Sequence, residues 1–387
     1  MKNRYVLPCL LFSVLSVFTA CIQEEPLNSE CDIELCSVHL SDPLSIFYKE
    51  SDTLIPVKST TQLIEFQVRS QVQIEDLAPM AISFQITPGA TITPANGSVQ
   101  DFSQGPVSYT VQSEDKKWSR TYQVRFVTMP ALNPVFDFDH VELEPNKQKY
   151  YNWFSLNAAG MRQEFWATGN SGFALSRSSA LPDEYPTVPS DTVALSGKAV
   201  KLETKNTGSF GAMVKMPIAA GNLFLGTFDT QNALKDPMKA TQFGVPFNKK
   251  PLSFKGNYKF LPGKEFKNKN GYVYKDSIDA PDAYAVFYEN TDANGLPVVL
   301  HGDDVLTNKH IVGLARVPHF EITGVSVADP WVYFEIPFEY KKEVDDHKLR
   351  NFGYNLAVVF TSSIYGAEFS GAEGSTLIVD DSEIVYE

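Results

Sequence analysis

From residue 36 onward the chain is cut into short stretches of alternating polarity, and that rhythm constrains the fold more than any other feature. In Trp331–Phe338, Val332, Phe334, Ile336 and Phe338 fall on one side, and Trp331, Tyr333 and Glu335 on the other. In Arg120–Val127, Tyr122, Val124 and Phe126 share one side, and Gln123 and Arg125 the other. Successive side chains of a strand point to opposite faces, so this spacing belongs to half-buried β-strands. Asn355–Thr361 and Ser375–Glu387 are equally rich in β-formers. Asn96-Gly97, Asn270-Gly271 and Asn294-Gly295 are hairpin turn signals. The 24 Pro and 23 Gly leave no room for a helix of three turns, and Glu343–Arg350 is the best short exception. The 27 Phe and 17 Tyr also suit sheets. The expected fold class is all-β.

A chain of 387 residues exceeds what one core usually supports. Met129-Pro130-Ala131-Leu132-Asn133-Pro134 interrupts two β-rich stretches, which predicts units over 32–128 and 135–387. The first has the length of one immunoglobulin-sized sandwich, and the second suits a jelly-roll with long loops. A net charge of −13 argues against a duplex nucleic-acid partner. Metalloprotease, serine-hydrolase, P-loop and dinucleotide-binding motifs are absent, and six scattered His supply little for catalysis.

Lys2 and Arg4 precede an apolar run from Tyr5 to Phe18, and Thr19-Ala20 lead into Cys21. Residues 1–20 therefore read as a secretory signal. A small residue directly before Cys resembles the bacterial lipobox, with Phe18 where Leu is usual. That resemblance implies cleavage, acylation of Cys21, and an outer-membrane lipoprotein held by its lipid, with 21–31 as a tether. An ordinary cleaved signal with an incidental Cys is the alternative. Gln23-Glu24-Glu25 resembles the short acidic signal of lipoproteins displayed at the cell surface, though a solvated linker reads the same way. Cys9 leaves with the signal, so Cys31 and Cys36 remain as an expected disulfide pair in an oxidising compartment.

Two longer resemblances follow. Thr93-Pro94-Ala95-Asn96-Gly97, Asp101-Phe102-Ser103, Tyr109-Thr110-Val111, Glu114-Asp115 and Tyr122-Gln123-Val124 occur in an order that resembles Ig-like modules behind the lipid anchor of gut-bacterial lipoproteins. Such modules are usually spacers. In the second unit the blocks are Trp166–Gly172, Ala199–Thr204, Ala220–Gly226 and Gly244–Phe247, then Gly256–Gly263, Ser362-Ser363, Phe369–Ala372 and Gly374–Asp381. In order and spacing they resemble the "putative carbohydrate metabolism domain" of outer-membrane lipoproteins. The resemblance implies an Ig-like β-sandwich followed by a larger galactose-binding-like jelly-roll β-sandwich, with a role in glycan metabolism.

Glycan binding needs flat aromatic faces for the apolar side of a sugar ring and polar groups for its hydroxyls. Trp153, Trp166 and Trp331 are platform candidates, Tyr150, Tyr151 and Tyr354 their partners, and Asn170 supplies an amide. Each Trp reads equally as sandwich core. Trp331 has the best case for facing outward, because it shares a side with Tyr333 and Glu335. A glycosidase needs two carboxylates about 5–5.5 Å or 6.5–9.5 Å apart. Asp137 and Asp139, at i and i+2, would lie about 6.6 Å apart on a strand, with Phe136 and Phe138 opposite. A solvent-facing first strand reads the same way.

Asp380 or Asp381 with Glu142 offers part of a structural Ca²⁺ shell, and Asp292-Ala293-Asn294-Gly295 resembles a fragment of a calcium loop. A hairpin explains the latter more simply, so no metal or other cofactor is assigned. Lys249–Lys275 carries eight Lys against Glu265, interleaved with aromatics, which would suit an anionic polysaccharide or simply a lysine-decorated hairpin. The reading that follows is a lipid-anchored carbohydrate-binding protein whose partner is a polysaccharide or oligosaccharide. A glycoside hydrolase acting through a carboxylate pair and a structural or adhesive surface protein are the alternatives. No feature fixes the oligomeric state.

Overall fold

The computed structural model describes residues 26–47, 50–69, 72–128, 132–156, 160 and 162–387. The signal and Cys21 lie outside the described residues. The chain divides into two compact units, meeting between Thr128 and Met129.

In the first unit, β1 (Ile33–Val38), β2 (Leu54–Pro56), β3 (Leu63–Val68), β4 (Met80–Ile86), β5 (Thr91–Thr93), β6 (Val99–Gln100), β7 (Val107–Gln112) and β8 (Ser119–Thr128) form two sheets. Their orders are β2-β1-β4-β6 and β3-β8-β7-β5. Every pairing is antiparallel except β3 with β8, which run parallel. Tyr122 and Val124 are fully buried beside Phe66 and Tyr109, so the period-two pattern of β8 is the one side of that strand that packs inward. Cys31 and Cys36 are not bonded to each other. The expected disulfide is not formed in the structure: Cys36 is buried within β1, and Cys31, just before the strand, is a free thiol as well.

In the second unit the principal strands are β9 (Trp166–Ala167), β10 (Thr187–Ser190), β11 (Ala199–Glu203), β12 (Asn222–Phe228), β13 (Pro251–Leu261), β14 (Asp282–Glu289), β15 (Ile311–Arg316), β16 (Val332–Pro337), β17 (Glu339–Tyr340), β18 (Tyr354–Thr361) and β19 (Thr376–Tyr386). One sheet runs β10-β11-β19-β13-β16, with Val135–Phe136 added against β19; the other runs β9-β12-β18-β14-β15-β17. The two pack as a β-sandwich. Phe254, Tyr258 and Phe334 come from the first sheet to meet Leu223, Phe287 and Phe360 from the second. Among the described residues the longest helix has seven residues, Asn170–Ser176. Near the expected helical turn, Asp346–Arg350 is α-helical and Asp345 caps it, accepting from the His347 and Lys348 amides.

The second sheet is unusual in being covered on both faces. Tyr284, Val286 and Tyr288 of β14 belong to a separate apolar cluster with Phe224, Phe243 and Val359. This double burial explains why the middles of β14 and β18, Ala283–Tyr288 and Leu356–Phe360, carry no charged residue. A strand buried on both sides has no solvent face to carry polar residues.

Candidate functional site

The outer face of the second sheet carries the best-formed concavity. Along β14, Ala283, Ala285 and Phe287 point into the sandwich core, which turns Asp282 and Tyr284 outward. Strand register lines up Arg316, Tyr284, Val359 and Phe224 in one row across β15, β14, β18 and β12. Asp282, Thr361 and Asn222 form the next row. Cross-strand partners share a face, so both rows look into the same space. The helices Asn170–Ser176 and Pro237–Ala240, with residues 363–369, wall it in. The cavity is about 260 Å³ and opens to solvent.

One edge of the cavity is polar. Arg316 donates from Nε to Asp282 Oδ1 at 3.0 Å and from Nη2 to Oδ2 at 2.7 Å. Asp282 is only 4% exposed. Burial pushes its carboxyl above the usual carboxylate range, and the Arg316 guanidinium opposes that rise. Tyr284 lines the same edge, and burial raises its phenol strongly. Its hydroxyl makes no hydrogen bond among the described residues. The remaining surface is mostly apolar, with Phe173, Phe224, Phe243, Val305 and Phe369 prominent. The Arg316 N–H groups not spent on Asp282, an unengaged hydroxyl and aromatic walls can orient a small polyol while covering its apolar face. Asp282 is the one carboxylate among the described residues that line this space.

A buried polar node stabilises the rim. Asp279 Oδ2 accepts from Ser363 Oγ at 2.6 Å, from the Ala372 amide at 2.7 Å and from Ser375 Oγ at 2.7 Å. Thr204 Oγ1 lies 2.8 Å from Ser362 Oγ and 2.6 Å from Ser363 Oγ. Ser362 Oγ also accepts from the Gly221 amide at 3.0 Å. Gly221 is required there, because a Cβ would sit 2.4 Å from the Pro186 carbonyl. The sequence blocks around Ala199–Thr204, Ala220–Gly226 and Ser362–Gly374 thus converge on one scaffold beside the cavity.

The aromatic platforms expected from sequence divide. Trp153 and Trp166 are 3% and 9% exposed and belong to the sandwich core, so neither offers a face to a sugar. Trp166 packs edge-on against Phe136 at 5.0 Å and donates to Ser155 Oγ at 3.2 Å. Both sit where the short strands around residues 151–167 close the sandwich, a position apolar area favours over display. Tyr354 is equally buried, stacked on Phe287 at 4.7 Å. Asn170 is a strut: its amide donates to the Thr187 carbonyl at 2.8 Å, and its Oδ1 accepts from the Thr187 amide at 3.1 Å. Asn170 also lines the cavity, but it is fully buried and its side chain is held against Thr187.

Trp331, Tyr333 and Glu335 do face outward, along the edge strand β16. Phe334 and Phe338 of the opposite side are core, whereas Tyr333 is 57% exposed. Tyr333 donates to Glu335 Oε2 at 2.8 Å and Ser253 to Oε1 at 3.0 Å, which holds Glu335 below the usual carboxylate range. Trp331 is half-buried under the Lys259 ammonium, 5.0 Å from its ring.

Asp137 and Asp139 do not share an extended strand. The strand ends at Phe136, and Phe138 takes a left-handed conformation with φ of 58° that turns the chain between them. Phe136 and Phe138 are both buried. Asp139 Oδ1 accepts from the Lys198 amide at 2.6 Å, and the Asp139 amide donates to Asp137 Oδ1 at 3.2 Å. Neither residue lines the cavity. Glu142 pairs with Arg162 at 2.6 Å instead of approaching Asp380. The Asp292 carboxylate caps its own hairpin through the Asn294 and Leu296 amides. No group of three or more His, Cys, Asp or Glu among the described residues is arranged to hold a metal ion.

Asp282, Tyr284 and Arg316 are absent from the sequence reading. Their signal is a charge at the end of an otherwise apolar strand, since a buried charge demands a partner.

The fold and its cavity define a two-unit β-sandwich protein with a lined cavity on one sheet of the second unit. The family described as "Putative carbohydrate metabolism domain" matches residues 137–385, and "SGBP, N-terminal" matches residues 45–125. The chain belongs to the putative carbohydrate metabolism domain family. A crystal structure from Bacteroides thetaiotaomicron, described as a putative glycoside hydrolase, is 35% identical. It covers 94% of this chain and 99% of its own, with a TM-score of 0.69. A second, from Bacteroides vulgatus and described in the same words, is 35% identical over 67% of this chain and 100% of its own, with a TM-score of 0.61. No curated protein matches the chain.

Proposed function

We propose that this is a lipid-anchored glycan-binding protein of the cell surface, whose cavity holds one sugar of a polysaccharide or oligosaccharide without cleaving it. The observation that carries this reading is the cavity edge: a buried Asp282–Arg316 fork beside the unengaged Tyr284 hydroxyl, facing aromatic walls. The family resemblance of both units supports a carbohydrate role. In this reading Cys21 carries the outer-membrane anchor and the first unit is a spacer. Hydrolysis is disfavoured because Asp282 stands without a second carboxylate among the described lining residues, and glycosidases use two.

A glycan array probed with residues 22–387, with sugar-release assays on every hit, tests this. Binding without release, lost in Tyr284→Phe and Arg316→Met variants that keep their fold, is the expected outcome. Release of reducing sugar, abolished by Asp137→Asn or Asp139→Asn, would replace binding with glycoside hydrolysis, the activity named for the two Bacteroides structures. No binding to any glycan would move weight to a structural or adhesive role.

A further inference from the structure

A row of aromatic rings leads away from the cavity rim. Ile364, Gly366 and Phe369 line the cavity, and between them Tyr365 is 52% exposed. Its ring meets Phe266 edge-on at 6.1 Å. Phe266 meets Tyr274 at 5.9 Å, and Tyr274 meets Tyr272 at 4.9 Å. Tyr272 and Tyr274, on the hairpin joining Phe266–Lys267 to Val273–Tyr274, are 64% and 42% exposed. The hairpin is not a loose appendage: Phe266–Lys267 also pairs with Gly371–Ala372, and the Ala372 amide bonds Asp279, which also receives Ser363 of the rim. Edge-to-face contacts hold each ring in place, so a ligand laid across them would order little that is not ordered already.

Resting on the proposed sugar-binding cavity, we infer that the ligand is an extended oligosaccharide whose terminal sugar occupies the cavity and whose following sugars lie across Tyr365, Tyr274 and Tyr272. Sugar rings suit this strip because each presents an apolar face to aromatic surface and keeps its hydroxyls in water. Continuity with the rim selects that occupant over an unrelated partner. The row begins at Tyr365, between two residues that line the cavity.

The test uses mono-, di-, tetra- and hexasaccharides of oligogalacturonide, β-1,4-galactan and mannan series, with residues 22–387 in equilibrium binding measurements. Affinity should rise about tenfold or more from one sugar to four in at least one series. Tyr272→Ala with Tyr274→Ala should remove that rise while leaving the monosaccharide affinity unchanged and the protein folded, with a melting temperature lowered by a few degrees at most. Arg316→Met should weaken all lengths together. A flat length dependence, or a rise that survives the double tyrosine variant, would overturn the strip and leave the cavity reading standing. Binding of none of these series would overturn the strip together with the cavity reading.

Discussion

Arg316→Met removes the guanidinium that faces Asp282 while keeping most of the apolar stem. Asp282, 4% exposed, then has no cationic partner. Removing one member of a buried ion pair costs about 3–5 kcal/mol. The Arg316 side chain is 36% exposed, so water weakens the pair and about 2–3 kcal/mol is the better figure. A unit of this size loses about 2–4 °C per kcal/mol, which gives a fall in melting temperature of roughly 4–12 °C near neutral pH. The sign of its pH dependence follows from burial. Desolvation raises the folded-state carboxyl above its unfolded value, so the folded chain keeps the proton longer as pH rises. Stability is therefore lost on going up through that window and regained on going down. Without Arg316 the lift is larger. Melting curves at pH 4.5 and 7.5 should show a smaller deficit at the acid pH, and adding Asp282→Asn should recover much of it. An equal deficit at both pH values, or no recovery in the double variant, would refute the uncompensated-charge argument.

Three further outcomes are expected. Asp380 is fully buried and accepts from the Leu195 amide at 2.7 Å, yet burial pushes its carboxyl up to about 6. Asp380→Asn should flatten the decline of stability between about pH 4 and pH 6, read from denaturant midpoints at half-unit steps, and an unchanged profile would count against the assignment. Trp166→Ala should cost about 3–5 kcal/mol, whereas Tyr333→Ala, at a 57% exposed position, should cost under about 1 kcal/mol; urea unfolding of the two would expose any reversal. Native protein without reductant should let iodoacetamide modify Cys31 while Cys36, fully buried and with its thiol raised by burial, stays unmodified until unfolding. A chain in which neither reacts after unfolding would carry a Cys31–Cys36 bond and refute the free-thiol assignment.

The alternation of Trp331–Phe338 was legible because β16 has one wet face and one dry one, and the structure keeps both assignments. The cavity was hidden for the opposite reason. Strands β14 and β18 are dry on both sides, so Tyr284 and Val359 read as core and nothing marks which side faces a void. Asp282 and Arg316 are 34 residues apart and meet only through the β14–β15 register. Trp153 and Trp166 misled because indole area serves a core as readily as a platform, and composition cannot separate the two. Asp137 and Asp139 misled through Phe138, whose positive φ breaks the extended geometry that i, i+2 reasoning assumes. Half of the basic run is engaged within the fold: Lys250, Lys255 and Lys267 pair with Glu387, Glu383 and Glu265, and Lys259 donates to the Ser326 carbonyl.

Asp279 moors the cavity rim through Ser363 and the aromatic hairpin through Ala372 with the same carboxylate oxygen. The consequence is kinetic. If the cavity holds a sugar as proposed, its rim and the hairpin are already tied together, so capture should proceed in a single step whose rate scales with glycan concentration and does not level off. Affinity differences among glycans would then be written in how slowly each one leaves.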